Sequence, residues 1–148
     1  MKGLKNYEEI FAQSIGLNDV GKVSRTELNA ERREIHIYVA VHKTGNYKCP
    51  ECGISCARYD DEEKDRIWLH SDVAGFLWYV HCRRPRIRCE SHGVRVITVP
   101  WARKHSRYTL SFECHATLLT KFMPVNCVRK ILQISRTSLS GIIKHWAF

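Results

Sequence analysis

The chain has 148 residues, of which 44% are hydrophobic and 26% are charged, and its formal net charge at pH 7 is +9. This composition is typical of a folded protein with one domain or two small ones, and it excludes a disordered chain. No apolar run approaches the ~20 residues that span a bilayer, and the amino terminus lacks the apolar stretch of a secretory signal, so we expect a cytoplasmic protein.

The charge is divided unevenly along the chain. Residues 1–81 carry 11 basic and 13 acidic side chains, whereas residues 82–148 carry 13 basic and 2 acidic side chains. A strongly basic half is typical of proteins that bind a polyanion, most often nucleic acid. An anionic membrane is a poorer fit, because the sequence contains no amphipathic helix with a Lys/Arg face.

The first two thirds of the chain carry a short helical pattern followed by strand patterns. A helix over residues 6–15 begins at the N-cap Asn6 and ends at Gly16, with Ile10, Phe11 and Ile15 toward the core. Residues 60–65 are predicted to form a charged loop or hairpin tip. The predicted strands cover residues 23–28, 34–41, 66–70, 76–82 with 85–88 as their continuation, and 94–99.

From Tyr108 onward the apolar period becomes helical, and we predict helices over residues 109–120, 124–132 and 135–146. Cys114 and Cys127 fall on the first two of these helices, and as small apolar side chains we expect them to be buried. The fold class is therefore α+β. We predict a small β-rich domain with an N-terminal helix over residues 1–105 and a helical domain over residues 106–148.

Two short Cys/His motifs have the spacing of metal-binding knuckles, each with a two-residue gap and each followed by a glycine, Gly53 or Gly93. Thiolate and imidazole ligands favour tetrahedral Zn²⁺ over Mg²⁺ or Ca²⁺. The pattern predicts a structural zinc site that makes the first domain zinc-ribbon-like, and the alternatives are a redox pair or simple burial of the thiols. The predicted ligands are Cys49, Cys52, Cys89 and His92.

Other Cys and His side chains lie close to these motifs in the sequence. Cys56, His70, His81 and Cys82 could each replace a predicted ligand, although we expect them to be core or surface residues. A catalytic zinc needs an open coordination position, and four protein ligands leave none. We therefore interpret the site as structural.

Four arginines crowd into the six positions from 83 to 88. In an extended strand Arg84, Arg86 and Arg88 share one face and Arg83 points to the other, and such a row suits phosphate oxygens. A solvated strand edge that resists edge pairing is an equally good interpretation. A second basic cluster, at residues 101–107, precedes the predicted helices and includes His105. Its predicted DNA-binding members are Arg103, Lys104 and Arg107.

The last stretch carries the apolar spacing of a helix-turn-helix. The offsets 0, 4, 6, 11 and 14 are occupied by Val128, Leu132, Ile134, Leu139 and Ile142. This arrangement places two apolar positions on a first helix, one in the turn and two on a recognition helix.

Ser135 is a good N-cap for the recognition helix, whose outward-facing side chains could contact phosphates and base edges. Gln133 stands where glycine is usual and Arg129 stands where a small residue is usual, so an ordinary helical hairpin is the alternative. The outward-facing residues are Arg136, Thr137, Ser138, Ser140 and Lys144.

The ordered combination of CPECG at 49–53, RRPRIRCESHGV at 83–94, VPWAR at 99–103 and SRYT at 106–109 resembles the N-terminal region of bacterial transposases of the insertion sequence L three family. The resemblance implies a zinc-binding domain followed by a helix-turn-helix. It further implies that double-stranded DNA is the partner, that the terminal inverted repeats of an insertion sequence are the target, and that the zinc ligands are the four residues named above.

Members of that family continue into a DDE nuclease domain, whose three carboxylates hold two divalent ions. This chain stops at Phe148, and the acidic residues 60–65 are no substitute for that domain. We therefore expect a truncated transposase, bound to DNA in the nucleoid, that is not an enzyme, and we leave a homodimer open. The alternative function is a zinc-ribbon protein-interaction module that docks an acidic partner.

Overall fold

The computed structural model describes residues 7–17, 19–43 and 46–147, so the predicted N-cap Asn6 lies outside the described residues. This part of the chain is a mixed α+β protein, as predicted from the sequence. Its helices are α1 (Tyr7–Ser14), α2 (Leu110–Thr120), α3 (Val125–Leu132) and α4 (Arg136–Trp146). Its strands are β1 (Gly21–Asn29), β2 (Glu34–Val41), β3 (Asn46–Lys48), β4 (Ser55–Asp61), β5 (Arg66–Val73), β6 (Phe76–Cys82), β7 (Pro85–Cys89) and β8 (Gly93–Val96).

The strands form two four-stranded sheets. The first sheet has the order β1-β2-β6-β5, in which β2 and β6 run parallel and the other pairs antiparallel. The second sheet has the order β3-β4-β7-β8 and is antiparallel throughout. The second sheet carries both Cys/His motifs, because one motif lies between β3 and β4 and the other begins at the last residue of β7 and continues into the turn before β8.

Three details of the predicted strands are wrong. Residues 85–88 do not continue the strand 76–82, because β7 belongs to the other sheet and begins at Pro85, which has no N–H to extend a ladder. Residues 60–65 are not all loop, since Asp60 and Asp61 end β4. The strand predicted over 94–99 ends at Val96, and Val99 makes only an isolated bridge to Ala102.

The first hydrophobic core is formed by both sheets and α1. Trp68 and Trp101 are almost fully buried and meet edge to face, with ring centroids 5.5 Å apart. Phe11 and Ile15 of the N-terminal segment are buried as predicted, whereas Ile10 is 51% exposed and does not contribute. The core therefore continues from the first sheet into the segment that precedes α2.

The second hydrophobic core lies between α2, α3 and α4. Four of the apolar positions predicted for this region are buried, and Leu132 packs against them. Cys114 and Cys127 are exposed, so the prediction of their burial is wrong. On α2 the buried face is formed by other positions, including Phe112 and Ala116, which leaves Cys114 on the solvent side of the helix.

The two cores are joined through the segment 101–109. Leu69 in β5 forms main-chain hydrogen bonds with Arg107 and Thr109, at 2.9 and 3.1 Å, so this segment follows the edge of the first sheet. The side chain of Thr109 also contacts the ring of His70 and caps α2. In the described part of the chain, no helix is long and apolar enough to cross a membrane.

A buried carboxylate holds this junction together. Glu113 of α2 is fully buried and accepts hydrogen bonds from the Arg103 guanidinium at 2.9 and 3.0 Å, the Ser106 hydroxyl at 2.6 Å and the Trp146 indole at 2.8 Å. A buried charge needs such partners, because an unpaired one would be very costly. Glu113 therefore ties the segment before α2 to the end of α4.

Candidate metal centre and nucleic-acid interface

Each Cys/His motif lies in a tight turn whose backbone conformation is made possible by a glycine. Gly53 donates its backbone N–H to the carbonyl of Cys49 at 2.9 Å and has a φ of +75°, and Gly93 has a φ of +72°. This left-handed conformation carries no steric penalty for glycine but is unfavourable for most residues. The glycines therefore let both turns close tightly around their Cys and His side chains.

The structure brings the four predicted ligands together. Their ligand atoms all lie within 4.8 Å of one another. Cys52 Sγ is 3.7 Å from Cys89 Sγ, and His92 Nδ1 lies 3.6 Å from Cys89 Sγ and 3.8 Å from Cys49 Sγ. This cluster can hold a metal ion, and it is the one group of this kind found among the described residues.

Three of the six separations between ligand atoms match the edges of a zinc tetrahedron. With Zn–S bonds of about 2.3 Å and Zn–N bonds of about 2.0–2.1 Å, a tetrahedral site has S–S edges of about 3.8 Å and S–N edges of about 3.6 Å. The Cys52–Cys89 S–S separation is 3.7 Å, and the separations of His92 Nδ1 from two of the sulfurs are 3.6 and 3.8 Å. The remaining separations are within 4.8 Å. The donor set of three thiols and one imidazole nitrogen is therefore compatible with Zn²⁺ in both chemistry and size.

Backbone N–H groups favour the thiolate forms that a metal requires. The N–H of Ser91 is the largest influence on Cys89 and brings the pKa of that thiol below its ordinary value. Burial opposes ionisation of Cys49, but the N–H groups of Cys52 and Glu51 outweigh it and lower the pKa of the Cys49 thiol. Two of the three thiols are thus prepared for ionisation by their own turns.

The neighbouring cysteines lie outside this cluster. The buried thiol of Cys56 donates a hydrogen bond to the carbonyl of Ile54 at 3.4 Å, and burial raises its pKa. Burial in the first core raises the pKa of Cys82 to about 12. Neither side chain belongs to the group of ligand atoms that meet within 4.8 Å.

The histidines that could compete as ligands have other partners. His70 Nδ1 lies 2.9 Å from the Thr109 hydroxyl, and burial lowers the pKa of its ring. His81 Nε2 lies 2.7 Å from Nδ1 of His36, whose other ring nitrogen contacts Glu34 at 3.0 Å. Both candidate histidines are therefore structural parts of the first sheet and its junction.

Two arginines of the row at positions 83–88 form ion pairs with the acidic segment, which comprises residues 60–65. Arg84 donates to Glu62 through Nε at 2.9 Å and Nη2 at 2.8 Å. Arg86 forms a two-point pair with Asp60 on the adjacent strand β4. Carboxylates therefore occupy the guanidinium edges that are predicted to bind phosphates. Phosphate binding by Arg84 and Arg86 stays a prediction.

The other two arginines of the row are less constrained. Arg83 lies 3.6 Å from Asp65, and both side chains are well exposed, so the pair is weak. Arg88 points outward from β7 while Ile87 points into the core, as the predicted alternation requires. The Arg88 guanidinium lies 4.2 Å from the ring centroid of Tyr59.

The second basic cluster divides into structural and exposed members. Arg103 is bound to the buried Glu113, so it is part of the junction between the two cores. Lys104 lies 3.3 Å from Glu51, and its side chain is 58% exposed. Arg107 is exposed, and its backbone carbonyl accepts a hydrogen bond from the N–H of Leu69 in the first sheet.

The polar residues predicted for the recognition helix lie on α4, whose N-terminus is capped as predicted. The Ser135 hydroxyl accepts from the N–H of Ser138 at 3.1 Å. Ser138 is half-buried, and the other predicted residues are exposed. The exposed residues on this helix are Arg136, Thr137, Ser140 and Lys144.

Arg66 and Arg95 also belong to the basic surface, although neither was predicted from the sequence, and His105 of the basic cluster 101–107 lies with them. All three line one cleft with Arg103 and Lys104. Each stands outside the crowded arginine row, and their proximity arises only when β5, β8 and the segment before α2 come together. No local pattern in the sequence signals that Arg66 and Arg95 lie beside the cluster 101–107.

These observations define an α+β protein with a Cys₃His cluster able to hold a metal and a basic surface beside a three-helix core. The chain is similar to the transposase for insertion sequence element IS1557 of Mycobacterium tuberculosis, in strains CDC 1551 / Oshkosh and ATCC 25618 / H37Rv, with 28% identity over 101 residues in each case. The similarity relates the 101 matched residues of this chain to part of an insertion-sequence transposase.

The match covers 68% of this chain and 23% of each relative, so the chain spans less than a quarter of the length of the curated relatives it matches. No protein-family model matches the chain. No solved structure matches it significantly.

Proposed function

We propose that this chain is the DNA-binding part of a transposase of the insertion sequence L three family. In this proposal a zinc-stabilised β-rich module and a helix-turn-helix recognise the terminal inverted repeats of the element. The observation that carries the proposal is the exposed polar face of α4 beside the basic segment 103–107, in a chain whose relatives are transposases.

Zinc would serve as a cross-link within the second sheet. Cys49 and Cys52 come from the β3–β4 turn, and Cys89 and His92 from the β7–β8 turn. A Zn²⁺ ion held by these four residues would offset two of the three thiolate charges and fix the two turns to each other. With four protein ligands the site has a structural role in this proposal.

Three features of the helical part support a helix-turn-helix. Helix α3 ends at Leu132, and its C-cap Gln133 has a left-handed backbone (φ 55°, ψ 41°) that reverses the chain in the way a glycine would. Helix α4 begins at Arg136, three residues after Gln133 and directly after the cap Ser135. Arg136 and Thr137 in its first turn lie free in solvent, and recognition helices contact base edges with such N-terminal residues.

We propose that binding, not strand transfer, is the contribution of this chain. A DDE-type reaction needs carboxylates that are free to hold a pair of divalent ions. Here Asp60, Asp61 and Glu62 are paired with arginines, which supports an electrostatic role within the fold for the acidic segment. A chain that binds without strand transfer would occupy the transposon ends and compete for them with an active transposase.

DNA binding can be tested by fluorescence anisotropy with the zinc-loaded protein. A preferred duplex would be selected from a randomised library, and a random-sequence duplex and a poly-glutamate peptide would serve as comparisons. We expect salt-dependent duplex binding, with the preferred duplex bound most tightly. Equal affinity for the acidic peptide would instead favour a protein-interaction module.

The assignment of α4 predicts a sequence-specific loss when Arg136 is replaced by Ala. The affinity for the preferred duplex should fall by about 1–3 kcal/mol if the side chain makes a bidentate base contact. The matched control is Lys130→Ala, an exposed cation on α3. An equal loss on preferred and random duplexes would contradict the recognition role of Arg136.

A further inference from the structure

A cleft with a strongly cationic lining separates the second sheet from the segment that leads to α2. Its volume is about 230 Å³, and its floor includes Trp68, Ile97 and Val99. Among the residues that the structure describes, no carboxylate lines it. The positively charged or titratable residues around it are Arg66, Arg84, Arg95, Arg103, Lys104 and His105.

Nearby carboxylates neutralise only part of this charge. Glu51 serves both Lys104 and Arg95, at 3.3 and 3.8 Å, and the side chains of these cations are 58% and 44% exposed. Exposed pairs of this kind are weak, so both cations stay available to an anion. Arg66 has no carboxylate partner among the described residues, and its Nη2 donates to the carbonyl of Ser106 at 2.9 Å.

This cleft continues into a second, shallower one that reaches α4. The two clefts share Arg103, His105 and Ser106. The second cleft is lined further on by Arg107 and by hydroxyl-bearing residues of the first turn of α4, including Thr137. The result is one basic track, defined here as the joined lining of the two clefts, from the second sheet to α4.

We propose that the basic track follows the phosphate backbone of duplex DNA while α4 occupies the adjacent major groove. Cations and hydroxyl groups beside a helix N-terminus are the groups that proteins place against DNA phosphates. A compact anion would fill only one cleft, whereas a polyphosphate backbone can follow both. The inference rests on the proposed DNA-binding function and assigns Arg66, Arg95 and His105 to the same surface as Lys104 and Arg107.

The track is tested by removing exposed cations along it. Lys104→Ala and Arg107→Ala should each weaken binding to preferred and random duplexes equally. Loss of one phosphate contact corresponds to about a five- to eightfold loss of affinity near 0.1–0.15 M salt, and to a salt slope that is lower by about 0.9. The matched control is Lys22→Ala, an exposed cation on β1 outside the track.

If wild-type protein binds duplexes and both variants behave like Lys22→Ala, the track is wrong while the proposed function stands. If wild-type protein binds no duplex, both the track and the proposed function are overturned. Equally tight binding of a single strand of the same length would also overturn the proposed duplex path.

A measurement on the wild-type protein guards against variants that fold poorly. Lysines would be acetylated in the presence and absence of duplex, and the modified positions read by mass spectrometry. We expect duplex to protect Lys104 and leave Lys22 reactive. Equal acetylation of Lys104 with and without bound duplex would overturn the proposal.

Discussion

Gln133 has a left-handed backbone at the end of α3, where its N–H closes onto the carbonyl of Arg129. A left-handed conformation costs an L-residue roughly 1–2 kcal/mol, and glycine avoids this cost at the expense of greater freedom in the unfolded chain. We expect Gln133→Gly to raise the free energy of unfolding by about 0.5–1 kcal/mol, measured by urea denaturation of the zinc-loaded protein.

A glycine placed in a regular helical position gives the matched control for this change. Lys130 is exposed within α3, so Lys130→Gly should lower the free energy of unfolding by about 1 kcal/mol. A loss of stability in both variants would mean that the turn at residue 133 does not require left-handed geometry.

At the scale of secondary-structure elements, the pairing of β4 with β7 brings acidic and basic side chains face to face. Asp60 and Arg86 are register partners and form an ion pair whose side chains are 40% and 35% exposed. Asp60→Asn should release Arg86 and tighten the binding of a random duplex by up to about eightfold at 0.1 M salt. Stability should change by less than about 1 kcal/mol, because the pair is partly exposed.

The matched control is Asp72→Asn, which removes the same charge from an exposed position on β5. Affinity measured by anisotropy should rise more in the Asp60 variant than in this control. An equal increase in both would show that only net charge matters and that Arg86 gains no phosphate contact.

The elements and the metal cluster were predictable because their signals are local. Apolar periodicity places β2, β6 and the three C-terminal helices, and the gap of two residues between Cys49 and Cys52 predicts their meeting. The short strand β3 and the polar strand β4 carry no such period, and neither was predicted from the sequence. Their positions follow from pairing with each other and, for β4, with β7.

Electrostatic partners were not predictable, because they are far apart in the sequence. Arg84 and Glu62 lie 22 residues apart, and Arg86 and Asp60 lie 26 apart, so their pairing depends on the sheet that unites them. The unequal charge of the two halves of the chain is therefore partly compensated within the fold. The cations that remain available to a partner are better identified from the structure than from their crowding in the sequence.

At the scale of the whole molecule, the candidate zinc site and the helical part are connected through the segment 97–109. Val99 and Trp101 belong to the first core, while Thr109 caps α2 and Arg103 binds the buried Glu113. This segment follows β8, the strand next to the Cys89–His92 turn. A change in the second sheet should therefore reach the basic track and the orientation of α4.

The last prediction is that removal of zinc disrupts the second sheet and weakens DNA binding without melting the helices. Structural zinc contributes about 10–16 kcal/mol in zinc-finger peptides, as much as or more than the roughly 5–15 kcal/mol that stabilises a typical domain. The helical core contains none of the four ligands. After chelation, circular dichroism should retain the helical signal, while affinity for the preferred duplex falls and returns when Zn²⁺ is added.

Cys89→Ser should behave like the chelated protein, because it removes one of the four ligand atoms. Cys127→Ser is the matched control, since that thiol is exposed on α3 and distant in sequence from both motifs. It should bind one zinc, measured by elemental analysis, and melt like the wild type. A metal-free protein with an unchanged melting transition and unchanged DNA affinity would contradict the structural role of the site and its coupling to α4.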